Sequence, residues 1–285
     1  MSKPVRGTTK VLGIIGHPVS HSLSPLMQNA AIQGCGLDYI YVPFEVTPDN
    51  VGAAIAGLKS LGVSGFNVTI PHKTAVMPYL DELDDSAIAS GAVNTVKNDG
   101  GRLVGYNTDG DGLVKSLADD LDFMPRGNSI VVVGAGGAAR GAIAALCRAG
   151  AKQIIVANRS HDRASALASV MSARFTGTEV SVSTGYEDLL ARLPHIDLVI
   201  NTTSLGMNSE SIPFLPLHVL SHTARVYDMI YSPCVTPLLC EAAKMGLKGA
   251  NGLGMLASQG ELAFTIWTGE IPPSGLMRCT LYAGL

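Results

Sequence analysis

The segment that decides the fold spans residues 130–140 and reads IVVVGAGGAAR. Its four β-branched residues predict a buried strand, and the G-x-G-x-x-A pattern leads from that strand into an alanine-rich helix. Gly134 permits a tight turn, Gly136 lets the backbone approach phosphate oxygens, and Ala139 is small enough for close packing of the helix on the strand. The free N–H groups at the helix N-terminus favour an anion. The segment therefore predicts a dinucleotide pyrophosphate site.

The position of this loop predicts a second domain. About 130 residues precede it, which is enough for a separate folding unit. Apolar runs and turn signals on both sides predict short strands that alternate with helices, the pattern of an α/β protein. The predicted strands are 11–15, 39–45, 65–69, 153–157, 180–183, 197–201 and 225–228, and the predicted helices are 48–61, 138–149, 161–172, 186–192 and 253–269, with one more beginning at Ser24-Pro25.

The predicted fold class is α/β with two domains. Because the chain becomes helical again after Gly252, we expect this tail to pack back on the first domain. An N-terminal α/β substrate domain is predicted over 1–110 plus 252–285. A Rossmann-type, doubly wound nucleotide-binding domain is predicted over 111–251.

Composition narrows the class of partner. The 285 residues are 47% hydrophobic and 15% charged, which is typical of a soluble globular protein. A net charge of −3 without a basic block argues against nucleic acid or an anionic membrane as partner, and no transmembrane helix is predicted. The five cysteines are odd in number and lack C-x-x-C spacing, which indicates reduced thiols in the cytoplasm and no metal site. We expect a small-molecule substrate and a monomer or homodimer.

The end of the second strand of the nucleotide domain predicts the cofactor. An acidic residue there usually binds the ribose of NAD, whereas basic residues accept the extra phosphate of NADP. The strand ends at Ala157, and Asn158, Arg159, Ser160 and Arg163 follow. Two guanidinium groups one helical turn apart suit a phosphate dianion by charge and geometry. NADP(H) is therefore predicted, and the alternative is that both arginines lie on a solvated helix face.

Two serines precede the first predicted helix, in residues 21–25, HSLSP. In an extended segment Ser22 and Ser24 point the same way, so that both hydroxyls can donate to one carboxylate. The alternative for Ser24 is that it caps the helix that Pro25 begins. Capping does not account for Ser22.

A second polar cluster lies in residues 65–73, GFNVTIPHK. Asn67 and Thr69 alternate along the predicted strand and share a face. Lys73 lies just past the carboxyl end of the strand, where α/β proteins usually bind ligands. The cluster therefore predicts a polar ligand at this edge of the first domain.

A third cluster lies further along the first domain. Asn94 and Asp109 are placed among glycines and small residues, in 91–96 and 105–112. They are candidates for the same ligand site, although turn chemistry alone is an alternative explanation for residues 107–110, NTDG.

Together these segments resemble the shikimate dehydrogenase family over almost the whole chain. The matching motifs are HSLSP (21–25), NVTIPHK (67–73), AVNT (92–95), NTDG (107–110), GAGGA (134–138), NRS (158–160), NTTS (201–204), YDMIY (227–231) and GLGML (252–256) with Gln259. The resemblance implies NADP-dependent, reversible reduction of 3-dehydroshikimate to shikimate, on the route to chorismate and the aromatic amino acids. This chain has Ser160 where many relatives have Thr, and Asn251 where Asp is common, which leaves capping near Gly252 open.

The resemblance also implies residue roles. Lys73 is implied as the catalytic lysine and Asp109 as its paired acid. The implied substrate ligands are Ser22, Ser24 and Tyr231 at the carboxylate and Thr69, Asn94, Asp109 and Gln259 at the ring hydroxyls, with Asn67 close by. The implied cofactor residues are Gly134, Ala135, Gly136, Gly137, Ala138, Asn158, Arg159, Ser160, Arg163, Met229 and Gly252, and in some members Asp85.

The chemistry of ketone reduction supports this assignment independently. Hydride transfer to the carbonyl carbon leaves an alkoxide, and a cationic acid such as Lys73 can protonate it as it forms. Three alternatives stay open at this stage. They are a related dehydrogenase acting on quinate or aminoshikimate, a non-enzymatic NADP-binding regulator of the same fold, and an interaction protein whose glycine loop is only structural.

Overall fold

The chain divides into two α/β units in a computed structural model that describes residues 4–284. One unit contains the chain up to Gly112 and from Ala257 onward, and the other is Leu113–Leu256. Residues 1–3 and 285, which the predicted first domain includes, lie outside the described residues. None of the helices in the described part combines the length and the apolar character that crossing a bilayer requires.

The elements follow one another as strands alternating with helices. In chain order they are β1 (Lys10–Gly16), α1 (Ser24–Gly34), β2 (Tyr39–Glu45), α2 (Val51–Ser60), β3 (Gly65–Val68), β4 (Glu82–Leu83), α3 (Asp85–Ser90), β5 (Thr95–Asp99), β6 (Arg102–Tyr106), α4 (Asp109–Leu121), β7 (Ser129–Val133), α5 (Gly137–Arg148), β8 (Gln153–Ala157), α6 (His161–Arg174), β9 (Glu179–Val182), α7 (Tyr186–Arg192), β10 (Leu198–Asn201), β11 (Arg225–Asp228), α8 (Pro237–Lys244), β12 (Lys248–Asn251), α9 (Leu253–Thr268) and α10 (Leu276–Ala283).

The first unit is built on a mixed sheet in the order β2-β1-β3-β5-β6-β4. Strand β1 runs parallel to β2 and β3, whereas β5 and β6 form an antiparallel hairpin. The hairpin was not predicted, although Gly100 and Gly101, with φ of 60° and 96°, are the residue types that a tight hairpin turn requires. The sheet therefore brings the end of β3 beside the start of β5, where Asn94 lies.

The tail of the chain packs on this first sheet. The indole Nε1 of Trp267 on α9 donates a hydrogen bond to the carbonyl oxygen of Val96 at 2.9 Å. Gly65 of β3 leaves the space that the indole fills, because a Cβ there would lie 2.2 Å from a ring carbon of Trp267. A side chain at position 65 would push α9 away from the sheet.

The second unit is a parallel sheet in the order β9-β8-β7-β10-β11-β12. This is the usual order of a doubly wound dinucleotide-binding fold, so the predicted fold class is confirmed. Along β7, Ile130 and Val132 belong to the apolar core on one face, and Val131 and Val133 to the core on the other. Burial on both faces explains why the strand reads as an unbroken apolar run. The strand order reverses between β7 and β10, which places the ligand-binding edge at residues 134 and 202.

Candidate active site

Lys73 and Asp109 form an ion pair in the first unit. The distance from Lys73 Nζ to Asp109 Oδ2 is 2.6 Å, and the two side chains are 31% and 23% exposed. Lys73 lies in the turns that follow β3, and Asp109 is the first residue of α4, where the helix N-terminus favours a negative charge. Asp109 therefore begins a helix, and an isolated turn over 107–110 is not what the structure contains.

Asn94 holds the carboxylate of this pair. Its Nδ2 donates to Asp109 Oδ1 at 2.8 Å and to Thr108 Oγ1 at 2.9 Å, and Gln259 Oε1 lies 3.4 Å from the same nitrogen. Its Oδ1 accepts the backbone N–H of Thr108 at 2.9 Å, which fixes the amide with its nitrogen toward the carboxylate. Four predicted site residues are thus brought together, namely Lys73, Asn94, Asp109 and Gln259.

Asn67 lies next to Asn94, and most of its hydrogen-bonding groups are used within the protein. Its Nδ2 donates to the Asn94 carbonyl at 3.0 Å and to Thr95 Oγ1 at 3.1 Å, and its Oδ1 accepts the Tyr41 hydroxyl at 2.7 Å. With both amide hydrogens used inside the protein, only a lone pair of Oδ1 is left for a ligand. The strand predicted over 65–69 ends at Val68, so that Thr69 lies in the following loop.

The two serines differ from the geometry we predicted. The prediction of an extended segment was wrong, because Leu23 has helical angles of φ −83° and ψ −5°. Ser24 is the first residue of α1 and does not cap it, since the N-cap is Leu23 and no side chain caps the helix there. It is Ser22 that serves the local turn, as its Oγ accepts the N–H of Ser24 at 3.2 Å. Ser24 itself is buried.

Three buried polar residues of this site were not predicted from the sequence. Tyr41 and Thr95 are 2% and 0% exposed, and Thr108 is 4% exposed. Burial raises the pKa of Tyr41 well above its usual value, so the phenol stays a neutral donor. Thr95 and Thr108 lie inside quoted motifs, but Tyr41 lies on a strand without a local signal, and only its tertiary position reveals it.

The glycine loop of the second unit has the geometry that its sequence predicts. Gly134 has a φ of 116°, and a Cβ there would lie 2.5 Å from Thr202 Oγ1. By contrast, a Cβ at Gly136 or Gly137 would meet no atom within 4 Å. Gly136 is the N-cap of α5, so the free N–H groups of the first turn face open space. An anion such as a pyrophosphate fits there.

Residues 158–163 begin α6. Ser160 is the N-cap, and its Oγ accepts the N–H of Arg163 at 3.5 Å. Asn158 Nδ2 donates to the Ser160 carbonyl at 2.9 Å. Both Arg159 and Arg163 are exposed, but Arg159 lies in the loop before the cap, so the predicted spacing of one helical turn was wrong. A cavity of about 180 Å³ opens beside Arg159, Asn158 and Tyr186.

Met229 and Gly252 lie side by side just after the carboxyl ends of strands β11 and β12. A Cβ at Gly252 would lie 2.1 Å from the carbonyl oxygen of Met229, and the Gly252 N–H donates to the Ile230 carbonyl at 3.1 Å. Asn251 holds the start of α9, because its Oδ1 accepts the N–H of Leu253 at 3.1 Å. The capping question that this asparagine raised is thus answered. Tyr231 is partly buried, and burial raises the pKa of its phenol.

A buried carboxylate supports the loop that carries Met229 and Tyr231. Asp228 Oδ1 accepts Asn201 Nδ2 at 3.0 Å and the N–H of Ile230 at 3.1 Å, and Oδ2 accepts the Thr236 hydroxyl at 2.6 Å. Burial raises the pKa of Asp228 above its usual value. All three donors depend on one side chain.

We expect Asp228→Ala to lower the free energy of unfolding by about 2–4 kcal/mol, because three buried donors lose their acceptor. Urea unfolding measures this loss, and Asp228→Asn is the matched control, since it keeps the shape and one acceptor oxygen. A loss of unfolding free energy in Asp228→Asn as large as that in Asp228→Ala would contradict this expectation.

The same pair of proteins tests the raised pKa of Asp228. Because the pKa in the folded state lies above the unfolded value of about 4, the wild-type protein loses stability as the pH rises through the folded-state pKa. Asp228→Asn has no carboxylate to titrate at this position, so its stability relative to wild type is expected to improve from pH 4 to 7.

Asp85 is the last of the predicted site residues. It is the exposed first residue of α3 in the first unit, and the helix is capped by Asp84, whose side chain accepts the N–H of Ser86. In the described part of that unit, no hydrogen bond or ion pair joins the Asp85 side chain to the other predicted site residues.

A lysine–carboxylate pair and a glycine loop at a helix N-terminus are the features of a dinucleotide-dependent dehydrogenase. Family models match most of the chain: "Shikimate dehydrogenase substrate binding domain" over 14–96, "Shikimate / quinate 5-dehydrogenase" over 116–209 and "Shikimate 5'-dehydrogenase C-terminal domain" over 252–282. The chain is 53% identical over 282 residues to shikimate dehydrogenase (NADP(+)) of Geobacter metallireducens, with 99% of each chain covered. The chain belongs to the shikimate dehydrogenase family, whose members are oxidoreductases.

Two solved structures are similar over nearly their whole length. Shikimate 5-dehydrogenase from Listeria monocytogenes, in complex with shikimate and NAD, is 33% identical with a TM-score of 0.92, and 99% of each chain is covered. Quinate dehydrogenase from Corynebacterium glutamicum, in complex with NAD, is 31% identical with a TM-score of 0.87, and 96% of this chain and 99% of that chain are covered.

Proposed function

We propose that this chain is an NADP-dependent shikimate dehydrogenase that reversibly reduces 3-dehydroshikimate to shikimate, on the route to chorismate and the aromatic amino acids. The observation that carries the proposal is the Lys73–Asp109 pair, whose charged atoms lie 2.6 Å apart. Asn94 and Gln259 lie beside it. Membership of the family supports the substrate.

Lys73 and Asp109 are proposed as the catalytic residues. NADPH, when bound, supplies the hydride that reduces the ketone carbon. The ammonium group of Lys73 donates a proton to the oxygen as it becomes an alkoxide, and in the oxidative direction the amine takes that proton back. Asp109 holds the lysine in place and accepts a hydrogen bond from a substrate hydroxyl.

The remaining polar residues of the first unit are proposed to bind substrate. Ser22 and Ser24 donate to the carboxylate, and Thr69, Asn94 and Gln259 contact the ring hydroxyls. Asn67 acts chiefly from behind, since its amide hydrogens are engaged with Asn94 and Thr95. The role of Tyr231 at the carboxylate stays a prediction. We assign substrate binding to the unit that ends at residue 112 and resumes at 257.

The second unit, Leu113–Leu256, is proposed to bind NADP(H). The open space around Gly136 and Gly137 and the positive φ of Gly134 fit a pyrophosphate at the N-terminus of α5. The residues assigned to the cofactor are Gly134, Ala135, Gly136, Gly137, Ala138, Asn158, Arg159, Ser160, Arg163, Met229 and Gly252. The role of Asp85 toward the cofactor stays a prediction.

A dehydrogenase acting on quinate is the second candidate. One matching family model carries quinate in its description, and a quinate dehydrogenase is among the similar structures. A panel decides between the two: 3-dehydroshikimate with NADPH and NADH, and shikimate, quinate and aminoshikimate with both oxidised cofactors. We expect the highest kcat/KM with the shikimate pair and NADP(H). A higher value with quinate would overturn the proposed substrate, and NADP binding without any turnover would indicate a regulator.

Arg159→Gln is expected to raise the KM for NADPH about 10- to 100-fold, because a charge-assisted hydrogen bond to the extra phosphate is lost. The KM for NADH is expected to change little, since NADH lacks that phosphate. Arg174→Gln, at the C-terminal end of the helix α6 that follows Arg159, is the matched control and should leave both values unchanged. An equal rise in KM for NADPH and NADH would show that Arg159 does not bind the extra phosphate of NADP(H).

We also propose that the protein works in the cytoplasm as a monomer or homodimer. The five cysteines, which are free in the described part of the chain, support the location. Sedimentation velocity at micromolar concentration measures the oligomeric state directly.

A further inference from the structure

A row of buried polar side chains runs from Tyr41 toward the Lys73–Asp109 pair. The Tyr41 hydroxyl donates a hydrogen bond to Asn67 Oδ1 at 2.7 Å. This first link connects strand β2 with strand β3.

The row continues in the same direction to the carboxylate. Asn67 Nδ2 donates to Thr95 Oγ1 at 3.1 Å, and the Thr95 hydroxyl donates to Asn94 Oδ1 at 2.9 Å. Asn94 Nδ2 donates to Asp109 Oδ1 at 2.8 Å. From Tyr41 to Asn94, each side chain of the row donates to the next one in the direction of Asp109.

This arrangement is more than a set of satisfied polar groups. Tyr41, Asn67, Thr95 and Asn94 are all at most 4% exposed, so solvent does not compete for the bonds. In a low dielectric, hydrogen bonds that point the same way polarise and strengthen one another, most of all toward a negative charge. Phe and Val would fill nearly the same volumes as Tyr41 and Thr95, so packing alone requires neither hydroxyl.

We propose that Tyr41 and Thr95 are positioning residues of the site, because their hydroxyls are links of a one-directional hydrogen-bond chain that begins at Tyr41 and ends at the Asp109 carboxylate. The inference rests on the proposed function. Loss of either hydroxyl loosens Asn94 and with it the carboxylate that holds Lys73.

A double-mutant cycle with Tyr41→Phe and Thr95→Val tests this chain. We expect each substitution to lower kcat about fivefold, the effect of one buried hydrogen bond, with KM for 3-dehydroshikimate changed about twofold or less. Because a chain that is already broken loses little from a second break, the double variant is expected to lose about five- to tenfold and not about 25-fold. Thr95→Ser keeps the hydroxyl and should restore kcat to near wild type.

Tyr227→Phe is the matched control. Tyr227 is a fully buried tyrosine of the second unit whose hydroxyl hydrogen-bonds Ser116 Oγ at 2.8 Å. Combined with Tyr41→Phe, its effect on kcat should multiply. Full multiplication between Tyr41→Phe and Thr95→Val, or a kcat within about twofold of wild type in either, would overturn the proposal. If Thr95→Val does not fold, Thr95→Ala takes its place in the cycle.

The chain is also tested without any turnover. The side-chain amide signals of Asn94 in a ¹⁵N–¹H spectrum are expected to shift in Tyr41→Phe, because the change is relayed through Asn67 and Thr95. In Tyr227→Phe they should not move. Unmoved Asn94 signals in Tyr41→Phe would refute the chain. If instead wild type fails to reduce 3-dehydroshikimate, the proposed function fails while the spectra still decide the chain.

Discussion

Lys73→Met is expected to lower kcat for reduction of 3-dehydroshikimate by about 10²–10⁴-fold, the usual contribution of a positioned general acid. The substitution removes the only group that we assign to protonate the alkoxide, and methionine keeps most of the apolar stem. KM for the substrate should change little, because the serines and Asn94 still bind it. Steady-state kinetics with saturating NADPH measures both values.

Lys59→Met is the matched control for this substitution. Lys59 lies in the same unit and is also paired with a carboxylate, since its Nζ lies 2.8 Å from Asp81 Oδ2. It plays no part in the proposed chemistry, so kcat should stay within about twofold of wild type while a surface ion pair is lost. Near-normal turnover in Lys73→Met would remove Lys73 from the catalytic role.

Asp109→Asn is expected to lower kcat about 10²-fold and to raise KM about tenfold, so that both parameters suffer. The amide is neutral and therefore holds the Lys73 ammonium group less firmly, and its nitrogen faces the donor Nδ2 of Asn94 or the lysine itself. A substrate hydroxyl that donates to Asp109 also loses its charged acceptor. The joint loss distinguishes Asp109 from Lys73, whose replacement should spare binding.

Asp81→Asn serves as the control for charge removal. Asp81 pairs with Lys59 and accepts the N–H of Leu103 at 2.7 Å at the surface of the same unit. Its kinetic parameters are expected to match wild type. Unaltered kinetics in Asp109→Asn would reduce Asp109 to a residue that starts helix α4.

Local signals predicted most of the second unit. The apolar run of β7, the strand Gln153–Ala157 and the glycine loop each depend on a few consecutive residues, and the structure contains them where expected. The prediction failed where the local signal is weak. Strand β5 ends in Lys97, Asn98 and Asp99, which do not alternate as a half-buried strand does, and helix α4 contains Gly110 and Gly112, which have low helix propensity.

The site shows the same division at the level of side chains. Lys73 and Asp109 were identified by motif, but they are 36 positions apart, and no pattern in the sequence gives the 2.6 Å between them. The serines show the reverse error, because an extended backbone was inferred from alternation alone, whereas Leu23 is helical. In the structure Ser24 is buried, whereas Ser22 is partly exposed.

By itself, then, the sequence determined the class of fold, the glycine loop with its helix, and the residue types available for binding and proton transfer. These follow from periodicity and from steric demands at single positions such as Gly134, which act over one or two turns of chain. Only the tertiary structure decided that the hydroxyls of Tyr41 and Thr95 belong to one row of hydrogen bonds that runs in one direction toward Asp109. Hydrogen-bond partners depend on the register of strands distant in sequence, and a local pattern does not encode that register.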